Sequence, residues 1–227
     1  AAGAVAFSGR CLWVGSAGLA ETLPAAYRWR QGEASRLPAA ESGPALVAVG
    51  SVSDVSARQL ALFVRQGNAL VLTLDPVRIV REEPEVCERY WRTAAEQMAI
   101  GDLVLTTKRD RRAIAQARQA GAVLGLKAGE VSERIARALG GLVRRLDCGR
   151  LAGIFLTGGD TAAAVCRELG AAGIEVVGEV APGIPAGILV GGPCAGLRIV
   201  TKAGAFGGED AIAATQKHLR PERTAKQ

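Results

Sequence analysis

Gly158-Gly159-Asp160-Thr161 stands between an apolar run, Ile154 to Leu156, and a small-residue stretch closing at Gly170. The first N–H groups of a helix are unpaired and lie at the positive end of its dipole. A turn of this kind can therefore receive a phosphate. Glycines let an anion approach the backbone, and Thr161 adds a hydroxyl donor. Asp160 would repel a bare phosphate, so it reads first as an N-cap and second as a ligand of a phosphate-bound magnesium ion. Similar turns recur at Gly15-Ser16, at Gly50 to Ser53 with the hydroxyls of Ser51 and Ser53, and at Lys202 to Gly207. In these, Ser16 and Lys202 are further candidate phosphate contacts. Each alone is an ordinary strand-to-helix turn; their convergence at one end of a sheet would make an anion site.

The elements that must position these turns alternate. Short Val/Leu/Ile runs end near Val14 and Val49, span Leu70 to Asp75, and open the stretches that start at Asp102 and Gly153, and Ala-rich helical stretches close at Gly67, Gly121 and Gly170. Continuous apolar strands joined by helices predict a mostly parallel sheet flanked by helices, a three-layer α/β domain spanning 1–220, with 221–227 as a flexible tail. Pro84 to Ala99 and Glu130 to Leu146 read as packing helices, and Asp75 to Glu83 as a loop. Beyond Val180 the chain turns Gly/Pro-rich, with strand-like Gly187–Val190 and Leu197–Thr201 and a short helix from Glu209.

Composition narrows the function classes. The chain has 227 residues and a net charge of +6, but the charge is dispersed and aromatics make up only 4%, which speaks against a nucleic-acid partner. His218 is the one histidine, in the basic tail, and no C-x-x-C occurs among the five cysteines, which speaks against a Cys/His zinc site and a Ser-His-Asp triad. The cysteines read as small apolar side chains of a reducing, cytoplasmic protein. The uncharged stretch Val180–Leu197 holds three prolines and five glycines, so no membrane helix is expected there, and no signal peptide is visible. Neither G-x-x-x-x-G-K-[ST] nor G-x-G-x-x-G occurs. The chain starts at Ala1 without an initiator methionine, as a fragment or processed form does.

The words "GSAGLA" (Gly15–Ala20), "VGSVSDVSARQL" (Val49–Leu60), "LTGGDTAAAVCRELG" (Leu156–Gly170), "GEVAPGIPAG" (Gly178–Gly187) and "VTKAGAFGGEDAI" (Val200–Ile212) together resemble the nucleotide-binding C-terminal domain of the four-carbon acid sugar kinase family. The resemblance implies an ATP-dependent kinase that phosphorylates the terminal hydroxyl of threonate, erythronate or 3-oxo-tetronate, with Mg2+ expected alongside ATP from the reading of Asp160. By motif it places ATP contacts on Ser51, Ser53, Gly158, Gly159, Asp160, Thr161 and Gly204. It also implies an N-terminal acid-sugar-binding domain with a "DDLTGA"-like word, which this sequence lacks. The catalytic base and the sugar-acid contacts are therefore expected outside the chain, which by itself is expected to bind ATP without phosphorylating. The competing class is a non-catalytic nucleotide- or anion-sensing module.

Overall fold

The computed structural model describes residues 12–29, 43–67 and 69–219. The chain divides into two compact units, Ala1–Ser35 and Arg36–Gln227.

Among its described residues the first unit holds one helix, α1 (Ala17–Ala26), with Ser16 at the N-cap position but making no side-chain cap bond. Trp13 Nε1 donates to the Tyr27 hydroxyl at 2.8 Å, and the Tyr27 ring stacks on Trp29. The strand predicted to end near Val14 is absent: residues 12–16 lie outside any strand, and Leu12 and Val14 are 90% and 85% exposed. A strand persists only by pairing, and no second extended segment stands beside this one among the described residues of its unit.

The second unit is a seven-stranded sheet in the order β2-β3-β1-β4-β7-β6-β5. Its strands are β1 (Ala45–Val49), β2 (Leu70–Leu74), β3 (Leu103–Thr107), β4 (Gly153–Thr157), β5 (Gly173–Ala181), β6 (Ile184–Val190) and β7 (Arg198–Lys202). The first five in spatial order are mutually parallel, and β6 runs antiparallel to both β7 and β5. The expected mostly parallel α/β sheet is thus present. Its Gly/Pro-rich end closes as a hairpin, because Pro182-Gly183 forms a tight turn with Gly183 at φ 76°.

Helices cover both faces: α2 (Asp54–Arg65), α3 (Pro76–Val80), α4 (Pro84–Ile100), α5 (Arg111–Val123), α6 (Ala128–Arg145), α7 (Gly159–Glu168) and α8 (Ala211–Leu219). Alternate residues of each strand serve opposite cores. Val47, Val104 and Phe155 pack with Leu60 and Phe63 of α2 and Ile212 and Leu219 of α8. Leu46, Leu105, Ile154 and Leu156 pack with Ala94 of α4, Leu139 and Val143 of α6 and Val165 of α7. All five residues of β1, β3 and β4 are buried, as their unbroken apolar runs require.

Two further points correct the sequence reading, and one adds an element to it. The stretch Asp75 to Glu83 is not simply a loop: Asp75 accepts from the Val77 N–H at 3.0 Å, Pro76 sits at the first helical position, and Ile79 and Val80 are buried, so a single-turn helix forms. Residues 173–181 form a full edge strand, β5. Cys148 and Cys194 are not isolated apolar side chains; a disulfide joins them across a Cα–Cα distance of 5.6 Å, tying the 3-10 turn Cys148–Arg150 to the β6–β7 turn, while Cys87 and Cys166 are free thiols. No helix among the described residues is long and apolar enough to cross a membrane.

Candidate functional site

β1 and β4 are neighbours, yet their exits diverge. The chain leaves β1 through α2 on one face of the sheet and leaves β4 through α7 on the other. Such a divergence opens a crevice at the carboxyl ends of the two strands. Gly50–Ser53 and Gly158–Thr161 are the two turns that border it, and the turn after β7 adds Gly204.

Close approach of backbone holds these turns together. A Cβ on Gly50 would overlap the Thr161 hydroxyl, one on Gly158 would stand 3.1 Å from the Ser51 nitrogen, and one on Gly204 would overlap the Ser51 hydroxyl. The N–H groups of Gly50 and Ser51 donate to Thr157 O at 3.1 and 3.2 Å, and Gly158 N–H donates to Lys202 O at 3.0 Å. Helix α7 then begins with Gly158 at the N-cap position, φ 101°. The first intrahelical bond runs from the Ala162 N–H to Gly158 O at 2.9 Å, so the amides of Gly159, Asp160 and Thr161 precede the helix ladder. Thr161 is buried, while Asp160 and Gly159 are exposed.

A cavity of about 380 Å³ opens from this point. At one end lie Gly50, Ser51, Gly158–Thr161 and Gly204. At the other, Ile114 and Ala117 of α5 face Val131 and Ile135 of α6, with Arg118 and Ser132 as polar groups. Lys108 stands on the wall and pairs with Asp75 at 2.9 Å. Burial raises the Asp75 pKa, but the Lys108 ammonium and the Val77 N–H outweigh it and hold the carboxyl below the usual value.

The sequence candidates divide into groups. Ser51, Gly158, Gly159, Asp160, Thr161 and Gly204 all line the cavity. Ser53 works from behind: its hydroxyl accepts from Ser56 N–H at 3.1 Å, capping α2, and donates to Gly204 O at 2.7 Å. Asp160 is not the N-cap, because Gly158 takes that position and Asp160 follows as the second helical residue with no side-chain cap bond. Lys202 does not point at the anion turn. It is 3% exposed, and its ammonium donates to the carbonyls of Ala203, Gly204 and Phe206 at 3.0, 3.0 and 3.2 Å. Burial lowers its pKa. Ser16 belongs to the first unit, where it precedes α1.

Two residues escaped the sequence reading. Ser56 Oγ donates to Gly204 O at 2.8 Å, and Gln59 Nε2 donates to the carbonyls of Phe206, Gly207 and Gly208 at 3.0, 3.2 and 2.8 Å. Both are buried polar residues on the inward face of α2, in line with Leu60 and Phe63. Polar side chains at apolar helical positions were the available signal, since a buried polar group must find partners. Arg109 is a further cation at the strand ends. It donates to Ser51 O at 3.4 Å and to the Thr106 hydroxyl, and burial lowers its pKa.

Among the described residues no cluster of three or more His, Cys, Asp or Glu side chains could hold a metal alone. A magnesium ion needs only one or two carboxylates when phosphate oxygens supply the rest. Exposed Asp160, beside three helix-start amides, fits that donor set.

A family model described as "Nucleotide-binding C-terminal domain" matches residues 46–212. The chain belongs to this family, the nucleotide-binding C-terminal domain of the four-carbon acid sugar kinases. It is 36% identical over 220 residues to D-threonate kinase of Bordetella bronchiseptica, covering 96% of this chain and 48% of that protein. It is 33% identical over 207 residues to D-threonate kinase of Salmonella typhimurium, covering 88% of this chain and 46% of that protein. Other relatives are named D-erythronate kinase and 3-oxo-tetronate kinase. Among solved structures, a Bordetella bronchiseptica protein crystallised with citrate as a domain-swapped dimer superposes with a TM-score of 0.64 at 31% identity, over 78% of this chain and 41% of that one. This nucleotide-binding domain therefore spans about half the length of the curated relatives it matches.

Proposed function

We propose that the cavity takes Mg-ATP and that this chain is the donor half of a kinase for a four-carbon sugar acid: threonate, erythronate or 3-oxo-tetronate. The observation that carries the reading is the meeting of three glycine-spaced turns at the polar end of a cavity whose far end is apolar. The triphosphate lies against the amides of Gly159, Asp160 and Thr161 and the hydroxyl of Ser51. The base lies between α5 and α6, against Ile114, Val131 and Ile135. Gly204 closes the polar end from the β7 side.

These groups supply position and charge. Three amides at a helix start and a serine hydroxyl hold a phosphate chain fixed and offset its negative charge, which is most of what phosphoryl transfer asks of a protein. Magnesium, held by Asp160 together with the phosphates, would supply further charge neutralisation. The terminal hydroxyl of the sugar acid attacks the γ-phosphorus, the bond to the β-phosphate oxygen breaks, and ADP leaves. The acceptor and the base that takes its proton belong to a sugar-acid-binding domain outside this sequence, so the chain alone binds nucleotide without turnover.

Calorimetric titration of the chain with Mg-ATP tests this, beside a Gly158→Ala, Thr161→Ala double variant. Saturable heat with the parent chain and none with the variant is expected. No heat with the parent overturns the nucleotide reading. ATP-dependent phosphorylation of D-threonate by this chain alone would overturn the placement of the acceptor site elsewhere.

A further inference from the structure

Lys202 is a buried cation with no ion-pair partner among the described residues. An ammonium removed from water costs several kcal/mol unless its protons are fully engaged. Here neutral oxygens engage them. The Nζ lies 3.0 Å from Ala203 O, 3.0 Å from Gly204 O, 3.2 Å from Phe206 O and 3.4 Å from Ser56 Oγ. Three carbonyls of one short turn, residues 203–206, bend inward round a single charge.

That geometry is a cation's coordination shell built from a loop. Carbonyl oxygens turned toward one point repel each other, so the turn needs a positive centre to hold its shape. Rings of backbone carbonyls elsewhere serve potassium in place of its hydration shell. An ammonium head and a potassium ion are of similar size, and both accept several oxygens without strict angles. The shell is braced from outside. Ser53 and Ser56 donate to Gly204 O at 2.7 and 2.8 Å, and Gln59 fixes the carbonyls of Phe206, Gly207 and Gly208. Lys202 also ties the loop to the anion turn through its backbone, since its carbonyl accepts the Gly158 N–H at 3.0 Å.

We propose that the oxygens of Ala203, Gly204, Phe206 and Ser56 form a monovalent-cation site that the chain fills with its own Lys202 ammonium, and that potassium or ammonium ion can enter it when that side chain is shortened. Lys202 is then a positioning residue. It sets the turn that presses Gly204 against Ser51 and has no contact with nucleotide. The link to nucleotide rests on the function proposed above; the cation site itself does not.

The test uses Lys202→Ala and Lys202→Met, melted in potassium, ammonium, sodium and tetramethylammonium chloride at equal ionic strength, with the parent chain in the same salts. In tetramethylammonium, too bulky to enter, Lys202→Ala should melt at least about 5 °C below the parent. Potassium or ammonium should restore half or more of that loss. Lys202→Met, whose thioether chain fills the space, should not recover, and the parent should respond to none of the salts differently. If Lys202→Ala is unfolded in tetramethylammonium, its refolding on adding potassium or ammonium is the same result, and failure to refold in either overturns the proposal. Equal melting of Lys202→Ala in all salts also overturns it. Mg-ATP affinity should fall about tenfold in Lys202→Ala and return with potassium, a change of about 1.4 kcal/mol. A parent chain that binds no ATP would remove the proposed function and leave the melting result standing. Flat melting beside normal ATP binding would remove only this inference.

Discussion

Gly204 lies so close to Ser51 that a Cβ on the glycine would overlap the serine hydroxyl, although the two residues sit on different turns. The missing side chain at Gly204 lets its turn close against the Ser51 side chain, and both residues line the cavity. Gly204→Ala must push the 203–206 turn or the Ser51 turn away. Mg-ATP affinity is expected to fall at least about tenfold, with the far-ultraviolet circular dichroism unchanged. Calorimetry that finds parent-like affinity would show that this contact does not shape the site.

Ser51 and Ser53 are two residues apart and have separable roles. The Ser53 hydroxyl caps α2 and holds Gly204 O, so Ser53→Ala should cost about 1 kcal/mol of stability or somewhat more. Ser51→Ala removes a hydroxyl that lines the cavity and bonds to Ser53 at 3.2 Å. It should weaken nucleotide binding more than it lowers the melting temperature. Urea unfolding and ATP titration on both variants give the comparison, and equal patterns would argue against the division.

Gly158 and Gly159 offer a second contrast. Gly158 has φ 101°, where an L side chain is strained, and a Cβ there would also crowd Ser51. Gly158→Ala should lose roughly 1–3 kcal/mol in denaturant unfolding. A Cβ on Gly159 meets nothing within 4 Å, so Gly159→Ala should leave stability within about 0.5 kcal/mol. It would still place a methyl group at the amides, and any large effect should appear in ATP binding.

The Asp75–Lys108 pair gives a pH signature. Asp75 has a folded pKa below its ordinary 3.8 because the Lys108 and Val77 donors outweigh burial. Its contribution is therefore present above the unfolded value and lost as pH falls through the folded one. Asp75→Asn keeps a capping side chain and removes the charge. The melting difference between the parent and Asp75→Asn should be steady at neutral pH and shrink only as the solution becomes acidic enough to protonate the folded carboxylate, below its ordinary 3.8. The sign fails if the gap widens in acid.

Much of the site was legible because its turns follow strands buried on both faces. Ala45–Val49 and Gly153–Thr157 are unbroken apolar runs, each followed by glycine and a hydroxyl residue, and neither needs distant context to be read. The helix Pro76–Val80 was harder. One turn of helix between two prolines shows no periodicity, and its Asp75 cap and buried Ile79 and Val80 matter only once α5 and α6 are packed nearby. The apolar end of the cavity was hidden for a similar reason. Ile114, Val131 and Ile135 look like packing residues of separate helices until those helices lie side by side.

Taken by itself, the sequence determined the strand–turn–helix units of the sheet, though not the strand expected near Val14, and which turns carry glycine, serine, threonine and aspartate, because these choices are written in contiguous residues. Only the tertiary structure decided which turns meet. Gly50 and Thr161 touch because β1 pairs with β4, and Gly204 joins them because β7 pairs with β4. It also turned Lys202 inward: a lysine at a strand end faces solvent, phosphate or carbonyl according to how the following loop folds, and no residue beside it in the chain specifies that outcome.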